Sequence, residues 1–247
     1  MQSKFYQADA RRAQKVHELF AKIARRYDLL NDIMSLGLHR HWKRRLVELA
    51  GVGRVTARGA ASSDAASDEP VVLDLCCGTG DIARMFEARV VGADFTQEML
   101  QVAATRTQRV RWIRADALRL PFDDNSFDVV SVGYGLRNLA DVEAGLREML
   151  RVLRPGGKLL SLDFGKPENG WLRSLYFGYL RKVLPVLGRL YCGDPDTHGY
   201  ILVSLQNYGA QRGIKELMEQ CGYRDCGFEE FVGGTMAINF GSKPSVR

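Results

Sequence analysis

No run of roughly eighteen apolar residues, the length a membrane-spanning helix needs, occurs anywhere in the chain. The first twelve residues, Met1 to Arg12, are polar and mixed in charge instead of being built around an apolar core, so no secretory signal is read there. A soluble, cytoplasmic protein is the expectation. Cysteine is scarce: Cys76, Cys77, Cys192, Cys221 and Cys226 are an odd set with no C-x-x-C pair, which argues against a disulfide framework and against a zinc site. Of the four histidines, His39 and His41 stand two apart, a poor spacing for ligands on one helix face, and no metal is expected. No internal repeat is present.

What the sequence does have is enough apolar material for a full core. Its 247 residues are 46% hydrophobic and 26% charged, the profile of one large α/β domain with additions. The net charge of +6 is unevenly placed: residues 1–58 hold 13 lysines and arginines against 5 acids, and everything after is slightly acidic. A basic N-terminal face suits nucleic acid, an anionic membrane surface, or plain solvation. Val16, Leu19, Phe20, Ile23, Tyr27 and Leu30 fall at helical spacing, so an amphipathic helix is expected over about 13–30, and a second through Leu46, Val47 and Leu49. From Thr56 to Glu69 the composition collapses to Ala, Ser, Gly and Asp, a linker or long loop.

The chain is organised around Val71 to Asp81. An apolar run stops at Gly78-Thr79-Gly80, which reads as a buried strand entering a tight turn, with a helix restarting over Asp81 to Phe86. Val90 to Asp94, Val110 to Ala115, Phe127 to Val132 and Lys158 to Phe164 are four further strands. Helices are expected at Gln97 to Arg106 and Val142 to Leu153, and a turn at Arg154-Pro155-Gly156-Gly157. Alternation at this spacing implies right-handed crossovers and a parallel sheet with helices on both faces. Ligands of such sheets bind at the carboxyl ends of the strands, where the glycines, Asp94, Asp116 and Gly133-Tyr134 stand.

Beyond the fifth strand, Leu172, Leu175, Tyr176, Tyr179, Leu180, Val183, Leu184 and Leu187 follow one helical face, with Trp171, Phe177 and Leu190 on others. The stretch is either a helix packed on the core or an apolar lid over a greasy substrate. A helix at Ile214 to Gln220 and strands at Cys226 to Phe231 and Met236 to Gly241 close the chain.

An acid ending the second strand can accept both ribose hydroxyls of an adenosine ligand, a device shared by dinucleotide and S-adenosylmethionine enzymes; Asp94 could equally cap the helix that follows. Asp116-Ala117-Leu118-Arg119-Leu120-Pro121-Phe122, Asn125-Ser126-Phe127-Asp128-Val129-Val130 and Leu153-Arg154-Pro155-Gly156-Gly157-Lys158-Leu159 together resemble the S-adenosylmethionine-dependent methyltransferases with a seven-stranded sheet. That resemblance implies a class I, Rossmann-like α/β fold whose last two strands form an antiparallel hairpin at one sheet edge. It also implies S-adenosyl-L-methionine bound by Gly78, Thr79, Gly80, Asp94, Asp116, Ala117 and Gly133, with Asp116 and the Ala117 N–H on the adenine.

Tyr27-Asp28-x-x-Asn31-Asp32-x-Met34-Ser35, Gly37-x-His39-Arg40-x-Trp42-Lys43 and Gly135-Leu136-Arg137-Asn138 narrow the resemblance to the quinone C-methyltransferases of menaquinone and ubiquinone biosynthesis. Coverage runs from about Lys15 to the closing strands. Gly133, where the family often has Ser, and the segment Asp194 to Tyr200, which keeps only part of the family pattern, depart from it. The implied organisation is an N-terminal helical extension over 1–54, a linker over 55–69 and a methyltransferase domain over 70–247, with a helical insertion at about 166–212.

The implied partner is a prenylated quinol, with Tyr176, Tyr179 and Tyr200 on the substrate side, peripheral contact with the inner face of the membrane, and a homodimer as a candidate assembly. Carbon methylation needs an electron-rich ring and a base. Arg137 and Asn138 suit a phenolate oxygen or an intervening water, and Asp163, Asp196 and His198 are candidate bases. Cys76-Cys77 points to the menaquinone branch, demethylmenaquinol to menaquinol; the benzoquinol of ubiquinone biosynthesis is the alternative.

Rival readings lose on specifics. An RNA methyltransferase would need an Asn-Pro-Pro-Tyr-type amine site, a Pro-Cys nucleophile or aromatics interleaved with the basic face, and none is found, so nucleic acid is not an expected partner. A nicotinamide oxidoreductase would need a third glycine where Ile82-Ala83 stand. A protein that only binds the cofactor would have no use for Arg137-Asn138 beside the pocket.

Overall fold

The computed structural model describes Glu18 and residues 31–32, 34–52, 69–192, 202, 204–206 and 208–245, without the side chains of 184 and 187–192. The helix expected at about 13–30, most of the linker, and Asp194 to Tyr200 lie outside the described residues.

Seven strands make one sheet: β1 (Val71–Leu75), β2 (Arg89–Asp94), β3 (Val110–Arg114), β4 (Phe127–Gly133), β5 (Leu153–Phe164), β6 (Arg224–Phe231) and β7 (Met236–Ser242). Their order is β3-β2-β1-β4-β5-β7-β6. β1 to β5 pair in parallel, while β7 runs antiparallel to both β5 and β6, so the closing hairpin supplies the single reversed strand. The order reverses between β1 and β4, which opens a crevice beyond their carboxyl ends.

Both sheet faces are covered, which is why the central strands read as near-continuous apolar runs. On one face Val72, Val129, Leu160 and Leu162 gather with Trp42, Leu46 and Ala50 of α1 (His39–Ala50). Those three side chains recur every fourth residue, and the helix stops at Gly51, in the left-handed conformation at φ 71°. On the other face Leu73, Leu75, Val130, Val132 and Leu159 gather with Leu146, Met149 and Val152 of α3 (Val142–Val152) and Ile214 and Met218 of α5 (Ala210–Cys221). Asp141 starts α3 by accepting the Ala144 N–H at 2.9 Å. α2 (Gln97–Arg106) lies between β2 and β3, with Met99, Leu100 and Ala103 buried.

The structure departs from the sequence expectations in three places. After the glycine turn only a single 3-10 turn, Ala83–Met85, forms: the Asp74 carboxylate takes the Ala83 N–H at 2.9 Å, and Phe86 is already extended. The turn expected at Arg154 to Gly157 is absorbed into β5, where Leu153 pairs with Phe127 across a register shift and Lys243 brackets Gly156-Gly157 by backbone hydrogen bonds. In α4 (Gly170–Cys192) only part of the expected face is packed. Leu180 is buried and Tyr176, Tyr179 and, from another face, Phe177 pack on the core, whereas Leu175 and Val183 of the expected face are exposed.

Candidate active site

At the crevice the backbone leaves β1 and β4 through two left-handed residues that are not glycine, Cys76 at φ 55° and Tyr134 at φ 62°. Each costs of the order of 1–3 kcal/mol, strain of a kind that concentrates at functional sites. Gly80, at φ 81°, carries the same demand and a second one, since a Cβ there would lie 2.4 Å from the Trp112 ring. Trp112 on β3 thus props the glycine loop from below.

A cleft of about 180 Å³ lies over these ends, lined among others by Gly78, Asp94, Phe95, Asp116, Ala117, Gly133 and Asn138. Asp94 is held from two sides: its Oδ2 accepts the Gly78 N–H and its Oδ1 the Thr96 N–H, both at 2.8 Å. One carboxylate therefore fixes both the glycine loop and the turn that leads into α2, whose N-cap is Thr96, so Asp94 does not itself cap the helix. Asp116 is exposed, and its Oδ1 accepts the Leu118 N–H at 2.9 Å, which fixes the carboxylate at the cleft rim. Desolvation and then the Asp94 charge push the Cys76 and Cys77 thiols well up, so both stay neutral.

Behind the loop lies a charged layer. Asp81 Oδ2 meets Lys43 Nζ at 3.0 Å, and its Oδ1 meets Arg106 at 3.1 Å and Arg84 at 3.2 Å. Burial would raise the Asp81 carboxyl, but Lys43, Arg106 and Arg84 hold it below the usual range. Asp74, fully enclosed between β1 and β4, accepts Ser131 Oγ at 2.7 Å and is pushed up to about 7 by desolvation.

Past β4 a 3-10 turn, Leu136–Asn138, separates the two residues expected to share the chemistry. Arg137 turns inward: Nη1 donates to Asp163 Oδ1 at 2.5 Å and to the Tyr134 carbonyl at 2.8 Å, with the guanidinium 4.7 Å over the Phe164 ring. Asn138 turns to the cleft, Nδ2 on the Tyr134 carbonyl at 3.2 Å, and its buried Oδ1 has no hydrogen-bond partner among the described residues. Asp163 is buried and engaged by Arg137 and by its own neighbour, the Phe164 N–H at 2.8 Å. That geometry suits it to positioning Arg137 and keeps it from reaching a proton in the cleft.

The glycines Gly78 and Gly133, with Asp94, Asp116, Ala117 and Asn138, come together in the cleft wall. Thr79 and Gly80 sit in the loop beneath it, Thr79 buried. The hydroxyls of Tyr176 and Tyr179 go elsewhere, to the carbonyls of Thr235 and Met34, each at 3.4 Å. Desolvation pushes both phenols up. His198 and Tyr200 lie outside the described residues. Sequence reasoning missed Phe95, an exposed aromatic lining the cleft beside Asp94, and the part played by Lys43 and Asp81. An aromatic next to a ribose-type acid was a usable signal; Lys43 closes the motif Gly37 to Lys43, but nothing local marked its reach to Asp81. Among the described residues no three His, Cys, Asp or Glu side chains are grouped to hold a metal ion.

Comparison with known proteins bears directly on this cleft. Residues 8–243 match the ubiE/COQ5 methyltransferase family. The ubiquinone/menaquinone biosynthesis C-methyltransferase UbiE of Idiomarina loihiensis is 37% identical over 252 residues, 96% of this chain and 95% of the relative. The protein of the same name from Azotobacter vinelandii is 39% identical over 249 residues, 96% and 92% of the two chains. Among solved structures, a SAM-dependent methyltransferase from Thermotoga maritima superposes with a TM-score of 0.60 at 16% identity, covering 91% of this chain and 99% of that one. Phosphoethanolamine N-methyltransferase 2 of Haemonchus contortus, in complex with S-adenosyl-L-methionine, gives 0.54 at 19% identity, with 83% and 53% covered. The structural likenesses speak for the seven-stranded fold alone. The sequence match is of another kind, since it runs through every strand end that builds the cleft, and on it the chain belongs to the ubiE/COQ5 methyltransferase family.

Proposed function

We propose that this chain is an S-adenosylmethionine-dependent C-methyltransferase that converts demethylmenaquinol to menaquinol. The observation that carries the reading is the near full-length match to relatives named for ubiquinone and menaquinone biosynthesis. Cys76-Cys77 before the glycine turn favours the naphthoquinol over the benzoquinol.

The cleft residues fit the cofactor. Asp94 lines the cleft with its carboxylate fixed by Gly78 and Thr96, and Asp116 stands at the rim with its own fixed by Leu118. When bound, S-adenosylmethionine supplies an electrophilic methyl group. Attack by the ring carbon forms a carbon–carbon bond as the carbon–sulfur bond breaks, and the ring proton then leaves to base or solvent. For this the phenol must be polarised or deprotonated. The Asn138 Oδ1, unpartnered among the described residues, is suited to accept the quinol O–H and so polarise it, while Arg137, paired with Asp163, fixes the turn that carries Asn138. Asp163 positions Arg137; a water, or His198, takes the proton.

A prenylated substrate resides in a bilayer. Peripheral attachment through α4 follows: Trp171, Leu175 and Val186 are exposed, beside Arg181 and Lys182. Among the described residues no helix is long and apolar enough to cross a membrane.

Mass spectrometry of quinones in cells lacking this protein tests the proposal. Accumulated demethylmenaquinone is the expected result. Accumulation of a demethylated benzoquinone intermediate alone moves the enzyme to the ubiquinone branch, and an unchanged quinone profile overturns both.

A further inference from the structure

We propose that Lys43 of α1 is a cofactor-binding residue, its ammonium receiving the carboxylate of the methionine tail of S-adenosylmethionine. The inference rests on the cofactor reading above and adds a ligand from outside the strand-end cleft. Lys43 is almost fully buried, its side chain 5% exposed, although it belongs to a helix that precedes the first strand. It borders a second, smaller cavity of about 30 Å³ with Thr79, Asp81 and Ile82. That cavity shares Cys76, Gly78, Gly133 and Tyr134 with the main cleft, so the two adjoin at the carboxyl ends of β1 and β4. Asp94 and Asp116 line only the larger space, and Lys43 only the smaller. An adenosine held by the two acids therefore directs whatever hangs from its 5′ position toward Lys43.

Charge points the same way. Lys43, Arg84 and Arg106 all converge on the carboxylate of Asp81, three cations on one acid. The other acid bordering the small cavity, Asp74, is engaged by Ser131 and Ala83. A buried ammonium whose ion-pair acid is shared with two guanidiniums is an expensive way to staple a helix, and a ligand carboxylate offsets that cost. The Lys43 ammonium also lies 5.9 Å from the centroid of the Tyr134 ring, the left-handed residue at the junction of the two cavities.

The test compares three ligands by calorimetry: S-adenosylhomocysteine, its decarboxylated analogue, and 5′-methylthioadenosine, which has no amino-acid tail. Lys43→Met should weaken S-adenosylhomocysteine by about tenfold or more, the loss expected for a charge-assisted hydrogen bond. The same change should leave the two carboxylate-free ligands within about twofold of wild type, and Lys43→Arg, which keeps the charge, should stay close to wild type with all three. Retained 5′-methylthioadenosine binding also shows that the variant is folded. If Lys43→Met does not fold, the wild-type comparison decides: equal affinity for S-adenosylhomocysteine and its decarboxylated analogue overturns the proposal, and a clear preference for the former sustains it. Parallel weakening of all three ligands, or no change in any, makes Lys43 a structural staple and overturns the proposal. Failure of the wild type to bind S-adenosylhomocysteine at all overturns instead the cofactor reading beneath it.

Discussion

Arg137 and Asp163 bind each other twice. The guanidinium donates to Oδ1 at 2.5 Å and the Arg137 main-chain N–H to Oδ2 at 3.2 Å, so one carboxylate fixes both the side chain and the backbone of the turn after β4. Both side chains are withdrawn from solvent. Removing one partner of such a pair leaves the other charge buried and unpaired, which costs about 3–5 kcal/mol. Asp163→Asn should lose that much stability in urea unfolding. Its residual activity should keep the wild-type pH profile, because a residue acting through Arg137 contributes no titration of its own to the rate. Disappearance of one limb of the profile would instead make Asp163 the base.

Asn138 faces the cleft and contributes no buried charge, so its removal separates chemistry from folding. Asn138→Ala should lower kcat by about 10²-fold, the usual scale for losing one preorganised polar contact at a reacting group. Affinity for S-adenosylhomocysteine should change by less than about threefold, since the loss falls on the quinol side. Single-turnover kinetics and calorimetry on the same preparation check both halves.

Asp74 makes stability depend on pH in an unusual direction. Its folded carboxyl is pushed up to about 7 from an ordinary 3.8. Between those values the folded state holds a proton that the unfolded state has released. Its contribution is therefore present below about 4 and is lost as pH rises through about 7. Asp74→Asn, which keeps an acceptor for Ser131 and Ala83, should flatten the stability curve across this window. Guanidinium melts at pH 5, 6, 7 and 8 measure it, and an unchanged slope would show that Asp74 is ionised throughout.

The outward side of α4 gives a test of membrane attachment that leaves the core alone. Leu175 is 58% exposed, so Leu175→Glu should leave the melting temperature within a degree or so, surface changes being usually within about 0.5 kcal/mol. On anionic liposomes carrying the long-chain quinol it should raise KM, while a soluble chainless quinol should be turned over as by wild type. Leu180, buried at 2% in the core, is the wrong position for that test, since a charge there would unfold the helix from the sheet.

Much of the architecture was legible because it is written in short-range patterns. Apolar runs broken by Gly78-Thr79-Gly80, ended by Asp94, and restarted at Val110 and Phe127 dictate strands and their spacing, and the alternation with helices dictates a sheet with crossovers. The strand-end positions of Asp94, Asp116 and Gly133 follow from the same local rule, which is why those residues meet in the cleft. Local patterns fall short where one residue has to stand for two structures. Asp81 to Phe86 has helix-forming composition, yet Asp74 takes the Ala83 N–H from nine residues away and only one 3-10 turn forms. Leu175 fits the apolar spacing of α4 and still faces outward, because spacing names a face and not what it meets.

What tertiary structure alone decided is the pairing of charge. Lys43 reaches Asp81 across 38 residues, Arg137 reaches Asp163 across 26, and Asp74 reaches Ser131 across 57. None of these distances has a signature in the chain, because each depends on the register of β1 against β4 and of β4 against β5, and on the seat of α1 over the sheet. A buried charge must find its partner in space, and only the packed sheet brings that partner within hydrogen-bond reach.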